Sequence, residues 1–241
     1  MIEVPGSQIS PLQLLESGDI EILGLLPHSS NYTFLARVRA DGEETLAVYK
    51  PRRGEMPLWD FPDGTLCSRE VAAYEVAETL GWPAVPPTVL RDGPEGPGSV
   101  QLFVDHDPEA HYFTLRERRA EDFRRIAAFD VVINNADRKG GHCLLAGDGR
   151  IFLVDHGVSF SAEPKLRTVI WDYAGDPLPD DVCRDIARLV EQLHGGRVRD
   201  RLDELLTTRE IEATIRRARR LSASGQLPQP GPGRHYPWPP V

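Results

Sequence analysis

The stretch VVINNADRKGGHCLL, followed closely by IFLVDHGVSF, sets Asp137, His142 and Asp155 around two short apolar runs, with Gly140 and Gly141 in the bend. A core has no use for such polarity, because an unpaired buried charge is costly. These residues are therefore either solvated turn groups or a site. Lys50 ends the run LAVYK, and Glu70 sits in SREVAAYEVAETL. At about 100° per residue, Glu70 falls inside the cluster of Ala73, Tyr74, Ala77 and Leu80, while Glu75 points away. An inward carboxylate needs a partner.

Phosphoryl transfer needs a cradle for phosphates, a cation for their charge, ligands for a divalent metal, and a base near the acceptor hydroxyl. The chain has a candidate for each. Lys50 lies on a strand and Glu70 on the helix after it, an arrangement in which a lysine held by a glutamate meets phosphate. Asp137 and Asp155 flank a hairpin, HCLLA and IFLVD around GDGR, which brings a base and a metal carboxylate close together across paired strands. Each residue alone has a plainer reading. Lys50 would be a surface lysine, Glu70 a half-exposed helix residue, Asp137 an Asx-turn cap before Gly-Gly, and His142 a satisfied structural histidine.

The elements that must position these residues are readable from local signals. SPLQLLESG predicts a short helix with Ser10 as N-cap, Pro11 in the first turn and Gly18 as its end. YTFLARVRA and TLAVYKP predict two strands joined at ADGEE, whose Asp-Gly pair suits a tight hairpin. Ser68 to Leu80 predicts a helix capped by Ser68 and stopped by Gly81. RDGPEGPGS reads as a loop leading to the apolar strand VQLFV, and AEDFRRIAAFDVVINN as a helix. Val182, Ile186, Leu189 and Leu193 share one helical stripe, and Ile211, Ile215 and Ala218 another, so the second half is mostly helical. The arginines of RRARR lie off that second stripe and read as a solvated face. The tail PQPGPGRHYPWPP is too rich in proline for helix or sheet and reads as extended, packed through Tyr236 and Trp238.

With 241 residues the chain has room for one large domain or two lobes. Its 28 Lys and Arg against 37 Asp and Glu argue against a nonspecific grip on nucleic acid. Cys67, Cys143 and Cys183 have no paired metal-ligand spacing and suit a reducing, cytoplasmic setting. No basic segment leads into an apolar run, and no apolar stretch is long enough to span a bilayer, so stable membrane insertion is not expected.

The order AVYKP, then REVAAYEVAETLG with VPPT, then NNADRKGGH, then LVDHG resembles the phosphatidylinositol 3- and 4-kinase-like branch of the protein-kinase-like fold, which includes the HipA-type kinases. More narrowly, it resembles small bacterial, mainly actinobacterial, members of that group, over about Leu25 to Phe160. The resemblance implies an α+β, two-lobed fold. Its β-rich N-lobe would cover residues 1–104 with a hinge at 101–104, its mainly helical C-lobe 105–227, and a proline-rich tail 228–241. It makes Lys50 the phosphate-contacting lysine, Glu70 its partner, Asp137 the base and Asp155 the metal ligand. Ser29, Ser30 and Asn31 stand where the phosphate-covering loop lies, though without the glycines of ordinary protein kinases. Leu102, Phe103 and Val104 stand at the adenine-binding hinge.

One departure matters. Five residues after Asp137 the family usually has asparagine as a metal ligand, and here His142 stands. An imidazole nitrogen can bind a metal, but magnesium prefers oxygen, so His142 points to manganese or to a weakened metal site. The expected activity is therefore an ATP- and Mg2+- or Mn2+-dependent kinase acting on an unidentified hydroxyl, on a protein, a small metabolite or a lipid. Two alternatives share the fold: a catalytically weak nucleotide-binding module, and an enzyme that transfers AMP. A metal-dependent hydrolase lacks its HExxH or His-x-His text. Oligomeric state and regulation are not readable.

Overall fold

A computed structural model describes residues 9–27, 31–82 and 85–241. In chain order the elements are α1 (Pro11–Ser17), β1 (Asp19–Leu25), β2 (Phe34–Ala40), β3 (Glu43–Pro51), α2 (Leu66–Leu80), β4 (Thr88–Gly93), β5 (Gly96–Leu102), α3 (Tyr112–Leu115), α4 (Ala120–Ile133), β6 (Cys143–Leu145), β7 (Ile151–Leu153), α5 (Asp180–Gln192), α6 (Arg197–Leu205) and α7 (Thr208–Ser224). Contacts divide them into two compact units. One is drawn from Met1–Met56 with Pro87–Phe103, the other from Pro57–Pro86 with Val104–Val241.

The first unit is a five-stranded sheet in the order β1-β2-β3-β5-β4, with every neighbouring pair antiparallel. Asp41 and Gly42 both take positive φ between β2 and β3, as a tight Asp-Gly hairpin requires. The α1 helix starts as expected: Ser10 and Gln13 form a reciprocal capping box. Its Leu14 and Leu15 are buried with Ala36, Val38, Ala47, Tyr49, Val89 and Val100 in the core on one face of the sheet. RDGPEGPGS is not a loop, because most of it belongs to the β4–β5 hairpin, and only Pro94 and Glu95 turn between the strands. Gly98 shows why glycine is tolerated in that strand. A Cβ there would lie 2.4 Å from the Lys50 carbonyl oxygen of the paired strand.

The second unit holds α2 and all the later helices. The residue-70 helix, grouped with the N-terminal strands in the sequence reading, packs on α5 and α6. It begins earlier than expected, with its N-cap at Thr65 instead of Ser68, and ends at Gly81 in the left-handed region. Val182, Ile186, Leu189 and Leu193 on the α5 side, and Ile211 and Ala218 on α7, are fully buried, so the two stripes are core.

One buried ion pair ties α2 to α7. Arg69 Nη2 donates to Glu210 Oε1 at 2.6 Å and Arg69 Nη1 donates to the Ser159 carbonyl at 2.7 Å. Burial opposes charge on Glu210, but the Thr207 backbone N–H and Arg69 outweigh it and hold this carboxyl below the ordinary range. A depressed carboxyl contributes stability that is present above its unfolded value, near pH 4.3, and lost as pH falls through the folded value. Glu210→Gln is therefore expected to cost about 2 kcal/mol at pH 7, where Arg69 loses a charged acceptor. Urea unfolding at pH 7 and pH 3 should show that gap narrowing at the acid end. An equal gap at both pH values would refute the linkage.

Candidate active site

Within the second unit, α4 ends at Ile133 and Asn134 leaves it in the left-handed region, which turns the chain sharply into Asn135, Ala136 and Asp137. The Asn135 side chain braces that turn from both ends. Its Oδ1 accepts the Asp137 N–H at 2.9 Å, and its Nδ2 donates to Asp130 Oδ1 at 3.1 Å. The Asp137 carboxylate is left partly exposed, 3.2 Å from Lys139 Nζ. Burial, against the pull of Lys139 and with a contribution from the charge on Asp155, raises its proton affinity above that of an ordinary aspartate. That is the direction a group meant to accept a proton requires.

Arg138, the next residue, is fully buried and had no role in the sequence reading. It forms an ion pair with Asp130 of α4, also fully buried, through Nε at 3.0 Å to Oδ2 and Nη2 at 3.0 Å to Oδ1. Nη1 donates to the Val154 carbonyl at 3.0 Å, and Nη2 lies 2.8 Å from His156 Nε2. Burial works against its charge, but Asp130 outweighs this and raises its pKa. Arg138 therefore carries a permanent charge that fixes both flanks of Asp155. The available sequence signal was Asp130 itself, an acid inside the apolar run IAAFDVVI.

Asp155 follows β7 and has φ of 61°, in the left-handed region that aspartate tolerates better than most non-glycine residues. Its carboxylate is about half exposed. Glu70 is buried, as expected of an inward carboxylate, and its Oε2 accepts the backbone N–H of His156 at 2.9 Å. Asp155 is thus held by its neighbours: Arg138 grips the residue before it, and Glu70 grips the residue after.

The residues fit a divalent cation through Asp155. Magnesium is usually held by one or two carboxylates together with substrate phosphates and water, so a partly exposed carboxylate facing solvent is an adequate protein share. Among the described residues no cluster of three acidic, histidine or cysteine side chains forms a closed metal cage. His142 stands with its Nε2 3.4 Å from Asp155 Oδ2. Its Nδ1 accepts the Lys139 N–H at 3.3 Å, which puts the proton of a neutral ring on Nε2, towards the carboxylate. In this geometry His142 offers Asp155 a donor rather than offering a metal a lone pair, a different task from the ligand role expected from its spacing.

The proline-rich tail lies on this same loop. Residues 167–169 pair with Arg138 through the Arg138 and Val169 N–H groups, and the His235 carbonyl accepts the Thr168 N–H at 3.1 Å and Trp171 Nε1–H at 2.9 Å. The Pro240 carbonyl accepts the Gly140 N–H at 2.8 Å. Tyr236 and Trp238 are exposed rather than packed as expected; beside these carbonyl bonds the tail is held by the buried Pro237 and by the His235 ring, which meets Trp171 edge-on with centroids 6.1 Å apart.

The remaining expected residues lie in the first unit or at its border. Lys50 is on β3, paired with Ser99 of β5. Asn31 Oδ1 accepts the Met56 N–H at 2.8 Å, which secures the chain just before β2. Ser29 and Ser30 lie outside the described residues. In the segment expected to be the hinge, the Leu102 N–H donates to Pro87 O and the Phe103 N–H to Leu46 O, at 2.8 and 3.0 Å. Among the described residues the Val104 N–H has no hydrogen-bond partner. Also among the described residues, no helix is long and apolar enough to cross a membrane.

A family model described as phosphatidylinositol 3- and 4-kinase matches residues 90–206, a span that includes Val104, Asp137, His142 and Asp155. The Mycobacterium tuberculosis protein Rv2133c is 40% identical, with 94% of each chain covered. Phosphatidylinositol 4-kinase gamma 4 of Oryza sativa is 28% identical over 56% of this chain, and phosphatidylinositol 4-kinase gamma 2 of Arabidopsis thaliana is 25% identical over 76%. The chain spans only 30% and 42% of those plant kinases. The crystal structure of the Helicobacter pylori proinflammatory kinase CtkA superposes with a TM-score of 0.54 at 12% identity, covering 87% of this chain and 93% of that one. Its fold agrees with the antiparallel first unit and mainly helical second unit, so the architecture is the two-lobed kinase-like one. The profile match, the plant kinases and the bacterial relative matched over nearly its whole length make the chain a member of the phosphatidylinositol 3- and 4-kinase-like family.

Proposed function

We propose that the protein is a kinase that uses ATP and Mg2+ or Mn2+ to phosphorylate a hydroxyl group on a protein, a small metabolite or a lipid. The observation that carries this reading is the pair of aspartates on one braced loop system: Asp137, with raised proton affinity, and Asp155, half exposed with its backbone in the left-handed region. In phosphoryl transfer the protein contributes chiefly position and charge, and a rigid loop bearing two acids suits that demand.

In this reading Asp137 orients the acceptor hydroxyl and takes its proton. Lys139 beside it keeps the carboxylate from binding that proton too early. Asp155 would hold the metal ion, which when bound would neutralise charge on the phosphates. His142 directs its ring N–H at the Asp155 carboxylate and so favours one orientation. Glu70 and Arg138 fix the backbone around Asp155. Lys50 and Asn31 meet the phosphates, with Ser29 and Ser30 as further donors, and the Val104 N–H meets the base beside Leu102 and Phe103.

The test uses purified protein, ATP with either divalent ion, and a panel of hydroxyl acceptors including the protein itself. Asp137→Ala should lower turnover about 10³-fold while nucleotide affinity, measured by calorimetry, stays within a factor of three of the parent. ATP labelled at the α or the γ position identifies the transferred group. Transfer of the α label would replace the kinase reading with AMP transfer, and nucleotide binding without transfer of either label would replace it with a non-catalytic module.

A further inference from the structure

The arginines of RRARR are exposed apart from the half-buried Arg217, yet three of them border a cavity. Arg216, Arg217 and Arg220 line a cavity of about 590 Å3 in the second unit, between α4, α7 and the chain leaving α7. Its walls are mostly apolar, with Val131, Leu221 and Leu227 among them. The volume is that of a pocket for one small molecule.

The charges around it are unbalanced. Arg217 Nε donates to the Val132 carbonyl at 3.0 Å, Nη1 to the Ser161 carbonyl at 3.1 Å and Nη2 to Thr214 Oγ1 at 2.8 Å, so its head group is fixed by neutral acceptors. Among the described residues no carboxylate lies within ion-pair distance of Arg217 or Arg220, and Arg216 reaches only Glu212, at 4.0 Å. Elsewhere in the same unit arginines pair closely with acids, as Arg124 does with Asp176 and Arg209 with Glu163. Burial, reinforced by the like charge of Arg216 and only partly offset by the charge of Glu210, pulls the Arg217 pKa down to about 10. An anion in the cavity would relieve that repulsion. An apolar interior beside three guanidinium groups fits a ligand with one strongly anionic, multiply accepting end and a short hydrocarbon or aromatic body.

We propose that this cavity binds a small, soluble phosphate monoester carrying an apolar body, at a site separate from the one that holds the nucleotide. The arginines meet the phosphate and the apolar walls take the body. Arg217 also braces the backbone at Val132 and Ser161, so the informative substitutions are at the exposed Arg216 and Arg220.

The full chain is titrated by calorimetry with octyl phosphate below its micelle concentration, and in parallel with octanol and with inorganic phosphate. Octyl phosphate should bind at least tenfold more tightly than either fragment. Arg216→Glu with Arg220→Glu should weaken it at least tenfold, and Arg220→Ala by a smaller factor, with the urea midpoint unchanged. Saturating ATP should leave the affinity intact. Undiminished binding by the double variant, displacement by ATP, equal binding of octanol or inorganic phosphate, or binding only to vesicles of anionic lipid would each overturn the proposal. None of these readouts depends on turnover, so the site stands or falls apart from the kinase reading.

Discussion

Asp130→Ala is expected to lower the unfolding free energy by about 3–5 kcal/mol, the largest stability loss among the substitutions considered. Removing the carboxylate leaves the Arg138 guanidinium fully buried without its ion-pair partner, with Asp155 a weaker compensating charge, and arginine cannot escape by deprotonation at ordinary pH. Asn135 would lose the acceptor for its Nδ2 as well, which loosens the turn that presents Asp137. Urea unfolding at pH 7 measures the cost. Joint replacement by Asp130→Leu and Arg138→Met should recover a good part of it, because a buried ion pair is often replaceable by apolar groups of similar volume. Turnover should not recover, since methionine cannot donate to the Val154 carbonyl or reach His156. A double variant as active as the parent would show that Arg138 serves stability alone.

Local signals in the sequence carried most of the architecture. The Asp-Gly hairpin, the Ser10 N-cap, the Gly81 stop and the apolar stripes of α5 and α7 each depend on residues within a turn or two of one another, and each formed as expected. Glu70 was legible as an inward acid for the same reason, because helical phase alone decides which way it points. Its hydrogen bond to the His156 N–H was not legible, since that partner is far along the chain. The RDGPEGPGS segment was misread because glycine and proline usually mark loops, whereas here Gly98 serves close backbone approach inside a strand. Arg138 looked like one more polar residue of a turn. Its burial follows from a tertiary partner, Asp130, whose place in an apolar run was the one hint. The RRARR arginines were read as solvated, which holds for the exposed Arg216, Arg219 and Arg220, but periodicity could not show that Arg217 is half-buried or that a concave wall lies beside them. The tail was read as extended chain, and it forms no helix or strand; the residues that pack it, Pro237 and His235 against Trp171, were not the ones expected, and its carbonyl bonds involve groups every residue has.

Asp155→Ala is expected to reduce turnover by about 10⁴-fold, equivalent to roughly 5 kcal/mol of transition-state stabilisation, with little change in unfolding free energy. The reasoning begins with exposure. A half-exposed carboxylate contributes little to folding, and alanine at φ of 61° carries only a modest backbone penalty, so the loss should fall on chemistry. His142→Ala provides the contrast. If the ring only orients Asp155 through Nε2–H, turnover should fall about tenfold, and the ratio of rates with Mg2+ and Mn2+ should stay the same, because no nitrogen ligand has been removed. If instead the imidazole ligates the metal, losing it should move the preference towards Mg2+, since magnesium favours oxygen and water. Rates at saturating ATP across a titration of each ion decide between the two. A changed metal preference would restore His142 to the ligand role its spacing suggested, and would mean that its ring turns away from Lys139 when nucleotide binds.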